Sequence, residues 1–175
     1  MLESIKNRRA CRQFDSGKPV EQEKIDEIVK AGLNAPSGMN RQTPVIIVIK
    51  DKEIRDQLMN INKSFMTGNP HGSNDPFYGA PVIILVIAHK DGLSLLDGGA
   101  CMENLLLEAT NQGLASCWIH RAEDEIKSEE CRKLLSFTGL DFDQYVGIGH
   151  AIIGYPKEGW SPMEKVIRDN RVFTK

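Results

Sequence analysis

The chain has 175 residues, 41% hydrophobic and 26% charged, and 22 basic against 24 acidic side chains leave a net charge of −2. That length suits one domain, able to bury roughly 70% of its unfolded surface without staples. A near-neutral charge excludes general nucleic-acid binding, and no apolar run is long enough to cross a bilayer or resembles a leader, so the expected location is cytoplasmic.

In chain order, residues 2–10 read as a short helix carrying a basic cluster, "NRRACR". On such a helix Arg8 and Arg12 share a face, and Arg9 lies about 100° round it. Guanidinium forks bind phosphate oxygens, so the cluster suits a terminal phosphate, although a solvated basic face explains it equally well. Residues 21–34 form a clearer helix, with Ile25, Ile28, Val29 and Leu33 on one apolar face. The segment "NAPSGMNRQ" then leads into strand 44–50. As a helix stop it is ordinary: Pro36 prevents continuation, and Ser, Gly and Asn are turn residues. As a ligand loop it offers carboxamides, whose donors and acceptors suit the polar edges of a flat heterocycle.

Helix 51–66 follows, with Ile54, Leu58, Ile61 and Phe65 on one stripe, then a breaker-rich loop at 67–81 and a second buried strand at 82–88. The helix at 93–113 is apolar nearly all round, which predicts burial on most sides, helped by a subunit interface. A third strand is expected at 114–119, a helix at 124–136 capped by Asp124, and a fourth strand at 145–156. The tail 157–175 is polar, with Val166, Ile167, Val172 and Phe173 as docking points. Cys11, Cys101, Cys117 and Cys131 lack CxxC spacing and read as reduced, buried thiols. The four histidines are dispersed, so no metal is assigned. No Rossmann or Walker A motif is present: Gly147 and Gly149 give GxG, but position 152 is Ile.

Three blocks in this order resemble the nitroreductase family of flavin (FMN) oxidoreductases: "RRACRQFDSGKPVEQEKIDEIVKAGLNAPSGMNRQTP", "DGGACMENLLLEATNQGLASCWI" and "GIGHAIIGYP" with basic residues in the tail. The resemblance covers nearly the whole chain. It implies an α+β sandwich, with a mixed, mainly antiparallel central sheet flanked by helices, assembled as an intertwined homodimer with FMN at the interface. It implies that Arg8, Arg9 and Arg12 meet the FMN phosphate and the ribityl or ring oxygens. Ala10 stands where the family often has Ser. Pro36, Ser37, Gly38 and Asn40, with Gln42 close by, would face the isoalloxazine from the partner subunit. Trp118, Ile119 and His120 would lie against the ring, with His120 a candidate proton donor. Lys165 and Arg168, or Arg171, would reach the phosphate, and Asn74 or Asn69 the pyrimidine edge. The implied activity passes reducing equivalents from NADH or NADPH to a small acceptor such as a nitroaromatic or quinone, by alternating (ping-pong) use of one site. Another redox enzyme on the same scaffold (a dehydrogenase, dehalogenase or flavin-fragmenting enzyme), a non-catalytic flavin-binding protein and a cofactor-free helical module remain the alternatives.

Overall fold

The strand "VIILVIA" is apolar at every position because both of its faces are buried. In the computed structural model, which describes residues 1–67 and 75–175, this strand is β2 (Val82–His89), in the middle of a four-stranded sheet. Its alternate residues enter two different cores. Ile83, Leu85 and Ile87 pack with Leu58 and Ile61 of α3 (Lys52–Ser64) and with Ile126 of α5 (Ala122–Lys127). Val82, Ile84 and Val86 pack with Ile25 and Ile28 of α2 (Gln22–Leu33) and with Met102 and Leu105 of α4 (Ser94–Asn111). Each fully buried large aliphatic side chain contributes about 1.5–3 kcal/mol, so helices are held on both sides of the sheet. The result is an α+β sandwich.

The sheet order is β1-β2-β4-β3, with β1 at Pro44–Ile49, β3 at Ala115–Ile119 and β4 at Tyr145–Gly154. Every pairing of these strands is antiparallel. Among the described residues the one parallel element is the isolated bridge of Ala10 to Ser116. The β2–β4 register shifts between Val86 and Ile87, opposite Gly149 and Gly147. At that irregularity Gly98 of α4 packs on Ile148, where an added Cβ would come within 2.5 Å.

Two predicted elements are shorter or broken. Helix 2–10 is realised only as α1, Glu3–Asn7, so Arg8 and Arg12 do not share a helix face. Beyond Arg8 the chain is tied to the sheet: the Cys11 N–H donates to Ser116 O at 2.9 Å, and Phe14 bridges Pro156. Burial of Cys11 and Phe14 in the core favours this path over further helix. The helix expected at 124–136 is two, α5 and α6 (Glu129–Leu134), broken at Ser128, whose extended backbone and Oγ cap the second through the Cys131 N–H. Asp124 is therefore not a cap but a first-turn acid of α5.

α4 buries one face, but Leu95 and Leu96 are 66% and 71% exposed. The tail beyond Trp160 forms no helix or strand and leaves Val166, Ile167, Val172 and Phe173 exposed. All four cysteines are free and buried. Burial pushes the Cys101 thiol up to about 11 and the Cys131 thiol up to about 12, which leaves both unreactive near neutrality. Among the described residues no helix is long and apolar enough to cross a membrane.

Candidate functional site

The loop between α2 and β1 is strained. Asn34 ends α2, and Gly38–Asn40 form a single 3-10 turn. Met39, Asn40 and Gln42 all adopt left-handed backbone, with φ of 52°, 54° and 52°. At Met39 and Gln42 this costs about 1–2 kcal/mol each, whereas Asn40 is a residue type that tolerates it. Four contacts compensate. The Asp97 carboxylate, in the first turn of α4, accepts from the Gly38 N–H and from the Thr43 hydroxyl, both at 3.0 Å. Ser37 Oγ accepts from the Gln42 N–H at 2.8 Å. Arg41 Nη1 reaches Asp91 Oδ2 at 3.1 Å. The Leu93 amide chiefly, aided by Arg41 and Ser94, holds the Asp91 carboxyl below the usual carboxylate range. Gly38 fits against Leu93 so closely that a Cβ would lie 2.2 Å from its Cδ1. With the backbone so held, Pro36, Asn40 and Gln42 stay exposed, and Gln42 Nε2 donates to Asn40 Oδ1 at 3.3 Å.

The cations gather elsewhere. Arg8 is half-buried, its Nε 3.5 Å from Glu103 Oε1 on α4. Arg9 Nε donates to Met163 O at 2.8 Å, and its Nη1 to Arg8 O at 2.6 Å. This brings the tail back over α1 and closes a cavity of about 570 Å³. Its wall includes Lys6, Arg9, Lys165 and Arg171 against one acid, Glu164. Arg168 is exposed and outside that wall. Arg12 is exposed in the extended segment. Burial pushes the Cys117 thiol up, and the charges of Arg12 and Arg8 oppose the shift.

At the end of β3, Ile119 is buried, Trp118 half-buried and His120 exposed. The Trp118 and His120 rings are 6.2 Å apart between centroids. Trp118 is pinned against β4: a Cβ on Gly149 would sit 2.2 Å from its Nε1. Arg121 then turns left-handed, with φ of 81°. A buried network holds that turn from behind. Asn62 Nδ2 donates to the His120 carbonyl at 3.0 Å and to Glu125, while its Oδ1 accepts from Arg121 Nε and Nη2 at 3.0 and 2.8 Å. His150 Nε2 lies 2.9 Å from Glu125 Oε2. Asn62, Glu125 and His150 are completely buried.

Asp97, Asn62 and Glu125 escape sequence reasoning, although a signal existed for two of them. Asp97 is an acid among the apolar and small residues at the start of the 93–113 helix, and Asn62 follows Leu58 by one turn on an apolar stripe. Asn69 and Asn74 lie outside the described residues.

The chain thus offers two separate half-sites. The cavity, whose wall joins Lys6, Arg9, Lys165 and Arg171 to apolar Ile5, Met163 and Ile167, can receive an anionic phosphate, and the Ser37–Gln42 loop suits the polar edges of a planar ring. The loop is anchored to the 91–97 turn, the cations to Glu103 and the tail. This donor set fits a phosphorylated heteroaromatic cofactor.

A model of the Nitroreductase family matches residues 5–155. The chain is 27% identical over 165 residues to a protein of Methanothermobacter thermautotrophicus, provisionally named NADH dehydrogenase/NAD(P)H nitroreductase, covering 90% of this chain and 78% of that one. Two of the solved structures that share its fold illustrate the likeness. One is a nitroreductase with bound FMN from Bacteroides fragilis: 26% identity, TM-score 0.87, 99% of this chain and 97% of that one. The other is a nitroreductase with bound FMN from Desulfitobacterium hafniense: 26% identity, TM-score 0.81, 99% and 96%.

Proposed function

Because the chain belongs to the nitroreductase family, we propose that it is an FMN-dependent NAD(P)H oxidoreductase of cytoplasmic location. NADH or NADPH and a small acceptor, such as a nitroaromatic or quinone, use one site in alternation. When bound, FMN supplies the redox chemistry; the protein binds and orients it and sets its surroundings. Arg9 with Lys165 and Arg171 would hold the phosphate, and Arg8 and Arg12 the ribityl or ring oxygens. Ser37, Asn40 and Gln42, with Pro36 and Gly38 shaping the turn, would meet the ring from a second subunit. Trp118 and Ile119 would form the wall against it. His120 is the candidate proton donor, and His120→Ala is expected to lower turnover and alter its pH profile.

The observation that carries this reading is the cavity in which Arg9 meets Lys165 and Arg171. Cations from both ends of the chain lining one cavity make it favourable to an anion. Homodimerisation is supported by exposed Leu2, Ile5, Met39, Leu95 and Leu96, an amount of apolar surface that a second copy would cover.

The test is an absorption spectrum of the purified protein, followed by anaerobic addition of NADH and then NADPH. Oxidised-flavin bands bleached by either nucleotide are expected. Flavin bands that neither bleaches would indicate a binding role. Absence of flavin after incubation with FMN would reject the reading.

A further inference from the structure

Three of the six non-glycine residues with positive φ among those described fall between Met39 and Gln42. A connector from Asn34 to Pro44 has no need of them, since nine intervening residues span that gap in relaxed conformations. Backbone strain persists only where the surroundings over-determine it, and here one side chain does most of that. Asp97 is 6% exposed. An ordinary first-turn acid faces water and favours its own helix dipole. Asp97 instead directs both oxygens out of its helix, one to the Gly38 N–H and one to the Thr43 hydroxyl, gripping the loop on either side of the strained residues.

We propose that Asp97 is a positioning residue: from the first turn of α4 it locks loop 37–43 into the strained form that receives the ring of the cofactor. This rests on the function proposed above. Asp97 does not touch the cofactor; it acts through the backbone of Gly38 and the side chain of Thr43.

The experiment compares wild type, Asp97→Ala, Asp97→Asn and Thr43→Val. Its readouts are FMN affinity by quenching of free-flavin fluorescence, the visible circular dichroism of bound flavin, and melting temperature. Asp97→Ala leaves two donors without an acceptor and is expected to weaken FMN binding about tenfold or more, with an altered dichroic band. Asp97→Asn keeps an acceptor for Gly38 and offers an amide to the Thr43 oxygen, so affinity stays within about threefold of wild type. Should Asp97→Ala fail to fold, Thr43→Val, which removes one of the two contacts, is expected to weaken binding about threefold. A purely structural Asp97 would lower the melting temperature alone. Wild-type affinity and dichroism in Asp97→Ala, or in Thr43→Val where that variant carries the test, would overturn the proposal while leaving the function intact. A wild-type protein that binds no FMN overturns both.

Discussion

Loop 37–42 and the Arg121 turn both hold non-glycine residues in the left-handed region, and they are held in opposite ways. Loop 37–42 lies open to solvent, with Met39 76% exposed, and is gripped by a few contacts to its backbone. The Arg121 turn is backed by Asn62, Glu125 and His150, none of which reaches water. The first design keeps the cost of error local: losing a contact frees a loop and spares the core. The second embeds the turn in the core, where every polar group must be paired, so losing a partner costs the whole fold.

The largest test of this contrast is Glu125→Ala. It removes the 2.9 Å contact to His150 Nε2 and leaves an Asn62 amide hydrogen without its acceptor; breaking a buried pair costs about 3 kcal/mol or more, a loss expected in urea unfolding at constant m. Asn62→Leu comes next, at about 2 kcal/mol, because water can replace its contact to the exposed His120 segment. The two substitutions combined should cost clearly less than their sum, since they break one network. Additive losses would mean that the network is not a unit. Met39→Gly probes the open loop. Relief of left-handed strain against added backbone freedom should leave stability within about 1 kcal/mol, on the stabilising side. The smallest effect is acidic. The folded Asp91 carboxyl is lowered from its ordinary 3.8. Its contribution to holding Arg41 is therefore fully present above that value and is lost as pH falls through the lowered folded value. Hydrogen exchange at the amides of 38–42 should accelerate there, and Asp91→Asn should remove that pH dependence.

The elements most legible in the sequence were those whose apolar pattern is local. The unbroken run of β2 announced two buried faces, and Ile25 and Ile28 marked the buried side of α2. Leu33, on the same predicted face, is 60% exposed. Helix 2–10 misled because nothing near Arg8 signals that Cys11 will bond to Ser116, more than a hundred residues away. The break at Ser128 escaped for the converse reason: a cap inside a helical pattern looks like one more polar surface residue. At the site, residue types spoke for chemistry, arginines for phosphate and carboxamides for a ring. Which of them meet depends on the return of the tail over α1 and on the grip of Asp97, and neither leaves a periodic trace.

The sheet order carries a consequence for the time course of folding. β4 is the last strand in the chain, yet it lies between β2 and β3. Until it arrives, β2 has only β1 beside it, and β3 has no strand partner at all. The β2–β4 ladder joins Val82 to Ile153 across most of an intervening helix, strand and helix pair. Contacts of such long reach form late. A folding chain therefore passes through a stage with two open strand edges that invite pairing with other chains. The closing of β4 is what ends that exposure, so substitutions at Gly147 and Gly149 should show themselves first as aggregation during refolding.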